Sequence, residues 1–287
     1  MKVHADCRPC FIRQMESAAR AAGADEAGVR RVSLMAREKL DAIWNECLSP
    51  PEISAPLYRE AGRMCGKDDP FRAEKIHYTR EALKYLPEVE SLIRQAEDPF
   101  DRAVRVSVAG NIIDFGTGRG IEEFNIGDSL REYLEKPMLR DDTPDLKRLA
   151  SRARTVLFIA DNAGEAVFDR PLLSCLKSAD RIFYITRDGP VINDVTLDDA
   201  VLAGVDHHAE LISSGSRVPG IIPGDCSQQF RDLHENADLV IAKGQGNFET
   251  LTELPGDGRT FMLFIVKCAV AARGVGGEMG DMIVMRW

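Results

Sequence analysis

The chain predicts an α/β protein, with a helical N-terminal part followed by a Rossmann-like three-layer α/β/α domain built on a largely parallel sheet. Three observations carry that expectation. Apolar residues recur at helical spacing over the first hundred positions, short β-rich runs alternate with helical patterns over the second half, and no repeat or low-complexity tract interrupts either.

The helical half reads from Phe11 to about Arg102. Phe11, Met15, Ala18, Ala19 and Ala22 share one helical face, as do Val32, Met35, Leu40, Ile43 and Trp44. Helices are expected to begin or end at Ser49-Pro50-Pro51, Lys67-Asp68-Asp69-Pro70, Leu86-Pro87 and Asp98-Pro99, because proline lacks the donor that an interior turn needs. After Arg154 the runs TVLFIA, RIFYIT, AELIS, ADLVIA, TFMLFIV and DMIVM predict six strands, most of them followed by a helical pattern. Such alternation predicts crossover units and a sheet covered on both faces. The expected division is a helical domain over residues 1–105 and an α/β domain over 106–287, with 106–150 as a connecting region that holds a helix from Asp128 to Glu135.

Composition narrows the function. The chain has 287 residues, 37 basic and 46 acidic, and a formal charge of −9. That sign argues against nucleic acid as a partner, since binding to a polyphosphate is driven by a basic face. No apolar run approaches the roughly 18 residues of a membrane span, and the polar start MKVHADCRPC does not resemble a signal peptide, so a cytoplasmic protein without membrane contact is expected. Seven cysteines, an odd number thinly spread, read as reduced thiols, and Cys47, Cys65, Cys175 and Cys268 read as small hydrophobes in or beside helices. The sequence sets no oligomeric state.

In open α/β sheets a ligand binds beyond the carboxyl ends of the strands. Here those positions are occupied by Asp161-Asn162-Ala163-Gly164-Glu165, by Arg187-Asp188-Gly189 with Asn193-Asp194 beyond, by Ser214-Gly215-Ser216, and by Lys243-Gly244-Gln245-Gly246-Asn247-Phe248-Glu249. Helix capping would explain Asp161 or Asn162 alone, but not a second amide and acid pair at Asn193-Asp194. Asp161, Asn162 and Asp194 offer hard oxygen ligands, which suit magnesium or manganese better than zinc. Lys243 and Arg187 can donate to an anion, and glycines let the backbone approach it. A divalent ion with such donors is the equipment for phosphoryl transfer or hydrolysis.

These segments carry a resemblance. DNAGE, GPVINDVTLDDA, SSGSRVPG, KGQGNFETL and the upstream AGNIIDFG resemble the damage-control phosphatase family, long known as domain of unknown function number 89. HADCRPCF, GKDDPF and the closing KCAVAARGV and GDMIV are similar to its prokaryotic branch with a Cys-x-x-Cys pair. The resemblance implies a metal-dependent phosphatase acting on phosphomonoesters of small metabolites, such as sugar phosphates or nucleotides, with magnesium, manganese, cobalt or nickel as cofactor. It implies metal ligands at Asp161, Asn162 and Asp194, a phosphate contact at Lys243, and Asn111 and Asp114 lining the cleft. Catalytic roles are expected for Asp161, Asp194 and Lys243, and substrate contacts for Asn111, Asp114, Glu165, Arg187, Ser214, Asn247 and Lys243. Attack by water or by an aspartate is left open. The DxD signature of aspartyl-phosphate enzymes is absent, because position 163 is Ala.

Two other readings compete. IIDFGTGRG, residues 112–120, matches the glycine pattern of S-adenosylmethionine methyltransferases, although the residues after it read as loop and helix rather than as the second strand such a fold needs. A non-catalytic metal-binding or nucleotide-binding protein would present the same rim. Cys7 and Cys10 have the spacing of half a zinc site or of a redox pair, with no second Cys-x-x-Cys to complete a structural zinc. Adjacent His207 and His208 point in different directions and make a poor chelating pair, and His234 lies in a helical pattern.

Overall fold

The structure is a computed structural model of the chain and describes residues 1–113 and 126–287. Its seven strands form one sheet in the order β1-β7-β6-β5-β2-β3-β4. These are β1 (Met138–Asp141), β2 (Thr155–Ile159), β3 (Arg181–Thr186), β4 (Glu210–Ser213), β5 (Leu239–Lys243), β6 (Thr260–Ile265) and β7 (Met282–Arg286). All neighbours are parallel except β6 and β7. From β2 the chain steps outward through β3 and β4, then returns to the other side of β2 as β5. The β2–β5 boundary is therefore a switch point, the place where the crevice of a doubly wound sheet opens. Six strands lie where the sequence predicts them. The short edge strand β1, half-buried or exposed throughout, carries no apolar alternation by which the sequence could reveal it.

Helices cover both faces of the sheet. On one side α4 (Arg72–Gln95), α5 (Pro99–Gly110), α6 (Ile126–Glu135) and α8 (Ala166–Cys175) bury Leu86, Val104, Val108 and Phe168 against Phe158, Ile241 and Leu263. On the other, α10 (Gln228–Asn236), α11 (Gln245–Leu251) and α12 (Ala269–Val275) bury Phe230, Phe248 and Ala271 against Leu157, Val240 and Phe264. Successive strand residues thus serve opposite faces, as the period of two requires. The short helices α7 (Thr143–Ala150) and α9 (Leu197–Leu202) complete the twelve helices among the described residues.

A third core is confined to α1 (Cys7–Ala21), α2 (Glu26–Ile43) and α3 (Pro50–Cys65), where Phe11, Met15, Val32, Leu40, Ile53 and Leu57 pack together. The division expected at residue 105 falls inside α5, and α4 and α5 share the main core with the sheet. The helices that pack by themselves are α1 to α3. Proline explains one further difference. Pro87 is expected to break a helix, yet α4 runs through it. The cost of about 3 kcal/mol for an interior proline is offset by burying Leu86, Val89 and Ile93 on either side.

Lys75, 1% exposed, ties α4 to α9 beyond β3 through a 2.8 Å ion pair to Asp199, and pairs at 2.8 Å with Asp69 just ahead of α4. Asp199 also completes a capping box with Thr196 at the start of α9. This fixes one end of the segment that carries Asn193 and Asp194.

Candidate active site

The parallel register sets the ends of β2, β3 and β5 level, with Ile159 opposite Ile185 and Ala242. Asp161 and Asn162 leave β2, Arg187 leaves β3, and Lys243 ends β5, so all four converge at the switch point. The loop after Arg187 turns back, and Asp194 meets Asn162 in an isolated antiparallel bridge. Val195 donates its N–H to the Asp161 carbonyl at 2.8 Å, and Ala163 donates to the Asn193 carbonyl at 3.0 Å. These backbone bonds bring together two acid and amide pairs that are thirty residues apart. The turn that achieves this holds Ile192 at φ 47°, a left-handed conformation costly for a β-branched residue.

Asp161, Asn162 and Asp194 line a cleft of about 730 Å³ between the strand ends and α1. The Asp161 Oδ2 accepts from Asn111 Nδ2 at 2.9 Å and from Asn162 Nδ2 at 2.8 Å. Asn162 also donates to Glu165 at 3.0 Å, so its amide nitrogen is held inward and its Oδ1 is turned the other way. Asp194 accepts from Arg187 Nε at 2.7 Å. Gly244, at φ +82°, allows the closest approach in the site, since a Cβ there would stand 1.9 Å from Asp161 Oδ2.

Behind this rim lies a buried ionic network. Lys243 Nζ reaches the Glu165 carboxylate, Asp169 Oδ1 at 2.7 Å and the Ser107 carbonyl at 2.9 Å, which uses all three of its donors. Lys243, Glu165 and Asp169 are all 0% exposed. Burial disfavours the ammonium, but the Asp169 and Glu165 carboxylates outweigh it and raise the Lys243 pKa. Burial pushes Asp169 upward against the pull of Lys243. Glu165 then passes order to the rim by accepting from Asn111 at 2.7 Å as well as from Asn162. Two cations, Arg187 and Lys243, stand against the four carboxylates of Asp161, Glu165, Asp169 and Asp194, a formal excess of two negative charges.

That excess and the oxygen donors of the rim are what a hard divalent ion would satisfy. Among the described residues no group of three or more His, Cys, Asp and Glu side chains is arranged to hold a metal. The rim set has two carboxylates and an amide, so it is a different kind of site.

The damage-control phosphatase ARMT1-like domain model matches residues 3–283. The chain belongs to the damage-control phosphatase family. It is 32% identical over 289 residues to a damage-control phosphatase of Pyrococcus horikoshii, covering all of this chain and 98% of that one. A damage-control phosphatase of Archaeoglobus fulgidus is 31% identical over 289 residues, with 99% and 98% covered. The crystal structure of a domain-of-unknown-function-89 protein from Pyrococcus horikoshii superposes with a TM-score of 0.86 at 32% identity, covering 100% of this chain and 99% of that one.

In this phosphatase the residues expected from sequence separate into two groups. Asp161, Asn162 and Asp194 face the cleft. Lys243, expected to touch phosphate, points instead toward α5 and α8, because it follows Leu239 and Ile241 on that face of β5. Asn111 and Glu165 are wholly buried and hold Asp161 and Asn162 rather than lining the cleft; Asn111 Oδ1 also accepts from Ile265 N at 3.0 Å. Asn247 clamps two strand ends by donating to the carbonyls of Ala160 and Lys243. Ser214 is buried, and its hydroxyl serves its own turn by bonding Ser216. Arg187 is 1% exposed, with Nε on Asp194, Nη2 on Asn247 at 3.3 Å, and a buried Nη1 that has no partner. Asp114 and the glycines at 116–120 lie outside the described residues.

Three contributors have no role assigned from the sequence. Asp169 sits on an otherwise apolar stretch of α8, four residues after Glu165, where an acid on a buried face signals a partner. Cys268, read as a small hydrophobe, lines the cleft, accepts from Ala271 N at 3.3 Å as the cap of α12, and accepts from Gln245 Nε2 at 3.4 Å. Glu249 lines the same cleft. Cys7 and Cys10 line it from α1, and burial pushes both thiols up, Cys7 to about 11.

Proposed function

We propose that this member of the family is a metal-dependent phosphomonoesterase whose reaction centre is the Asp161, Asn162 and Asp194 rim. The observation that carries the reading is the doubly negative buried network that ends in three oxygen donors on a cleft. The Asp161 carboxylate, Asn162 Oδ1 and an oxygen of Asp194 would hold magnesium, manganese or a similar hard ion, which when bound would supply Lewis-acid polarisation of the phosphoryl group.

The chain's own residues do the rest. Arg187 fixes Asp194 with Nε and bonds Asn247 with Nη2, which holds the rim carboxylate in place. Lys243 acts through Glu165 and Asp169 as a positioning residue and charge balance. Gly244, having no Cβ, lets the Asp161 carboxylate lie against the backbone while it faces the cleft, so either that carboxylate or a water in the cleft can approach phosphorus. The remaining cleft, with Arg13, Gln14, Ser17 and Arg20 from α1 on its far wall, has the size and polarity for a small phosphorylated metabolite.

A screen of sugar phosphates, nucleotides and other phosphomonoesters with magnesium, manganese, cobalt and nickel tests the reading. Phosphate release that EDTA abolishes and metal restores is the expected result. Absence of release with every metal and ester would leave a binding protein instead. No feature of the described residues favours a methyltransferase.

A further inference from the structure

Glu249 is a buried acid on the wall of the catalytic cleft that the network around Asp161 does not use. It stands on α11 one turn after Gln245, and the two side chains lie on the same face, with Gln245 Nε2 donating to Glu249 Oε1 at 2.7 Å. Gln245 Oε1 accepts from Lys267 N at 2.9 Å, which locks the amide and makes its nitrogen the end presented to Glu249. Gly244, the residue before this pair, packs against the Asp161 carboxylate. Glu249 lines the same cleft as Asp161, Asn162 and Asp194, so its side chain borders the space that a phosphate ester held at that rim would occupy.

The positive groups that line the cleft with Glu249 are Arg13 and Arg20 of α1 and Lys267, and the Met1 ammonium donates to the Glu249 carbonyl oxygen. Cys7 and Cys10 face it from α1, and Cys268 reaches it through Gln245. Pro51 and Ser54 of α3, which packs on α11, bring no charge to the cleft. The Met1 ammonium is close, but Glu253 pairs with it at 2.9 Å, and Lys267 lines the cleft beyond. Burial pushes the carboxyl up to about 7, against the smaller opposing effects of Gln245 and the Met1 ammonium.

We propose that Glu249 is the general acid of the reaction, a catalytic residue that protonates the departing ester oxygen. This rests on the phosphatase reading above. As the P–O bond to the alcohol breaks and the bond from the attacking oxygen forms, the Glu249 proton passes to the leaving alkoxide, which departs as the neutral alcohol. The proton released by water restores the acid, so the net reaction is ester plus water to alcohol plus phosphate.

The acid is required only where the leaving group is poor. Glu249→Gln should lower kcat on an alkyl phosphate such as a hexose phosphate by about 10²-fold or more, within the usual range for general acids. On 4-nitrophenyl phosphate, whose leaving group needs no proton, the loss should stay under about 10-fold. The wild-type protein tests the same point without a variant. Its kcat on alkyl phosphates should fall as pH rises through about 7, where Glu249 gives up its proton, and the fall should be absent with the aryl ester. Infrared titration should show a carboxyl that ionises near 7 in the wild type and is missing in the variant.

Equal losses on both esters, or alkaline limbs alike for both in the wild type, would overturn the proposal and make Glu249 structural. A wild type that hydrolyses neither ester with any metal would instead overturn the phosphatase reading.

Discussion

The two walls of the cleft hold their polar groups in opposite ways. On the strand-end wall, Asp161, Asn162 and Asp194 are each at most 8% exposed, and bonds from Asn111, Asn162 and Arg187 fix the two acids. On the α1 wall, Arg13 and Arg20 are exposed, and Gln14, Glu16 and Ser17 are half-buried. One wall is preorganised by a low-dielectric network and the other is adaptable. Electrostatic catalysis needs donors and acceptors that do not reorganise during the reaction, whereas recognition of varied ligand tails tolerates mobile side chains. The metal chemistry we propose falls to the strand-end wall, and the selectivity we propose falls to α1.

The largest effects should come from breaking the fixed wall. Asp161→Ala removes a cleft-facing carboxylate and the acceptor of two buried amides, and should lower kcat by about 10³-fold or more with the chain still folded by circular dichroism. Full metal-dependent activity in that variant would sink the assignment. Gly244→Ala should lose activity nearly as fully, because its Cβ has no room beside the Asp161 carboxylate and the left-handed backbone disfavours any side chain. Metal titration by calorimetry should show weaker binding.

Lys243→Met tests the network beneath. It leaves Glu165 and Asp169 buried without their cation, and chemical denaturation should show a loss of about 3–5 kcal/mol. Activity should fall with it. If stability is unchanged and only KM for phosphate esters rises, Lys243 meets the substrate directly and the positioning role fails.

The smallest effects belong to the adaptable wall. Arg13→Ala and Arg20→Ala should leave the melting temperature and kcat nearly unchanged while raising KM by about 3- to 10-fold for esters with a second anionic group. KM values that move equally for every ester would mean that α1 does not select among substrates.

Much of this was legible because local chemistry announces itself. The alternation of TVLFIA, RIFYIT and ADLVIA with helical stretches fixes a parallel sheet, and strand ends loaded with Asp, Asn and Lys mark the rim. Pro87 and β1 misled for the same reason: a proline inside an apolar helix and an edge strand without alternation take their states from packing elsewhere. The mixed character of the rim was not legible either. DNAGE and KGQGN look alike as polar turns, yet Asp161 faces the cleft and Lys243 faces away from it.

The sequence by itself determined the elements, the switch-point rim and the oxygen-rich donor set, since these depend on periodicity and residue type. Only the tertiary structure decided which polar groups face the cleft and which bond to each other. A side chain's role depends on the face of the sheet it occupies and on partners far along the chain, such as Ser107 for Lys243 and Asn111 for Asp161. It also brought Glu249, Cys7, Cys10 and Cys268 to one cleft, because packing the N-terminal helices over the strand ends joins segments that no local pattern connects.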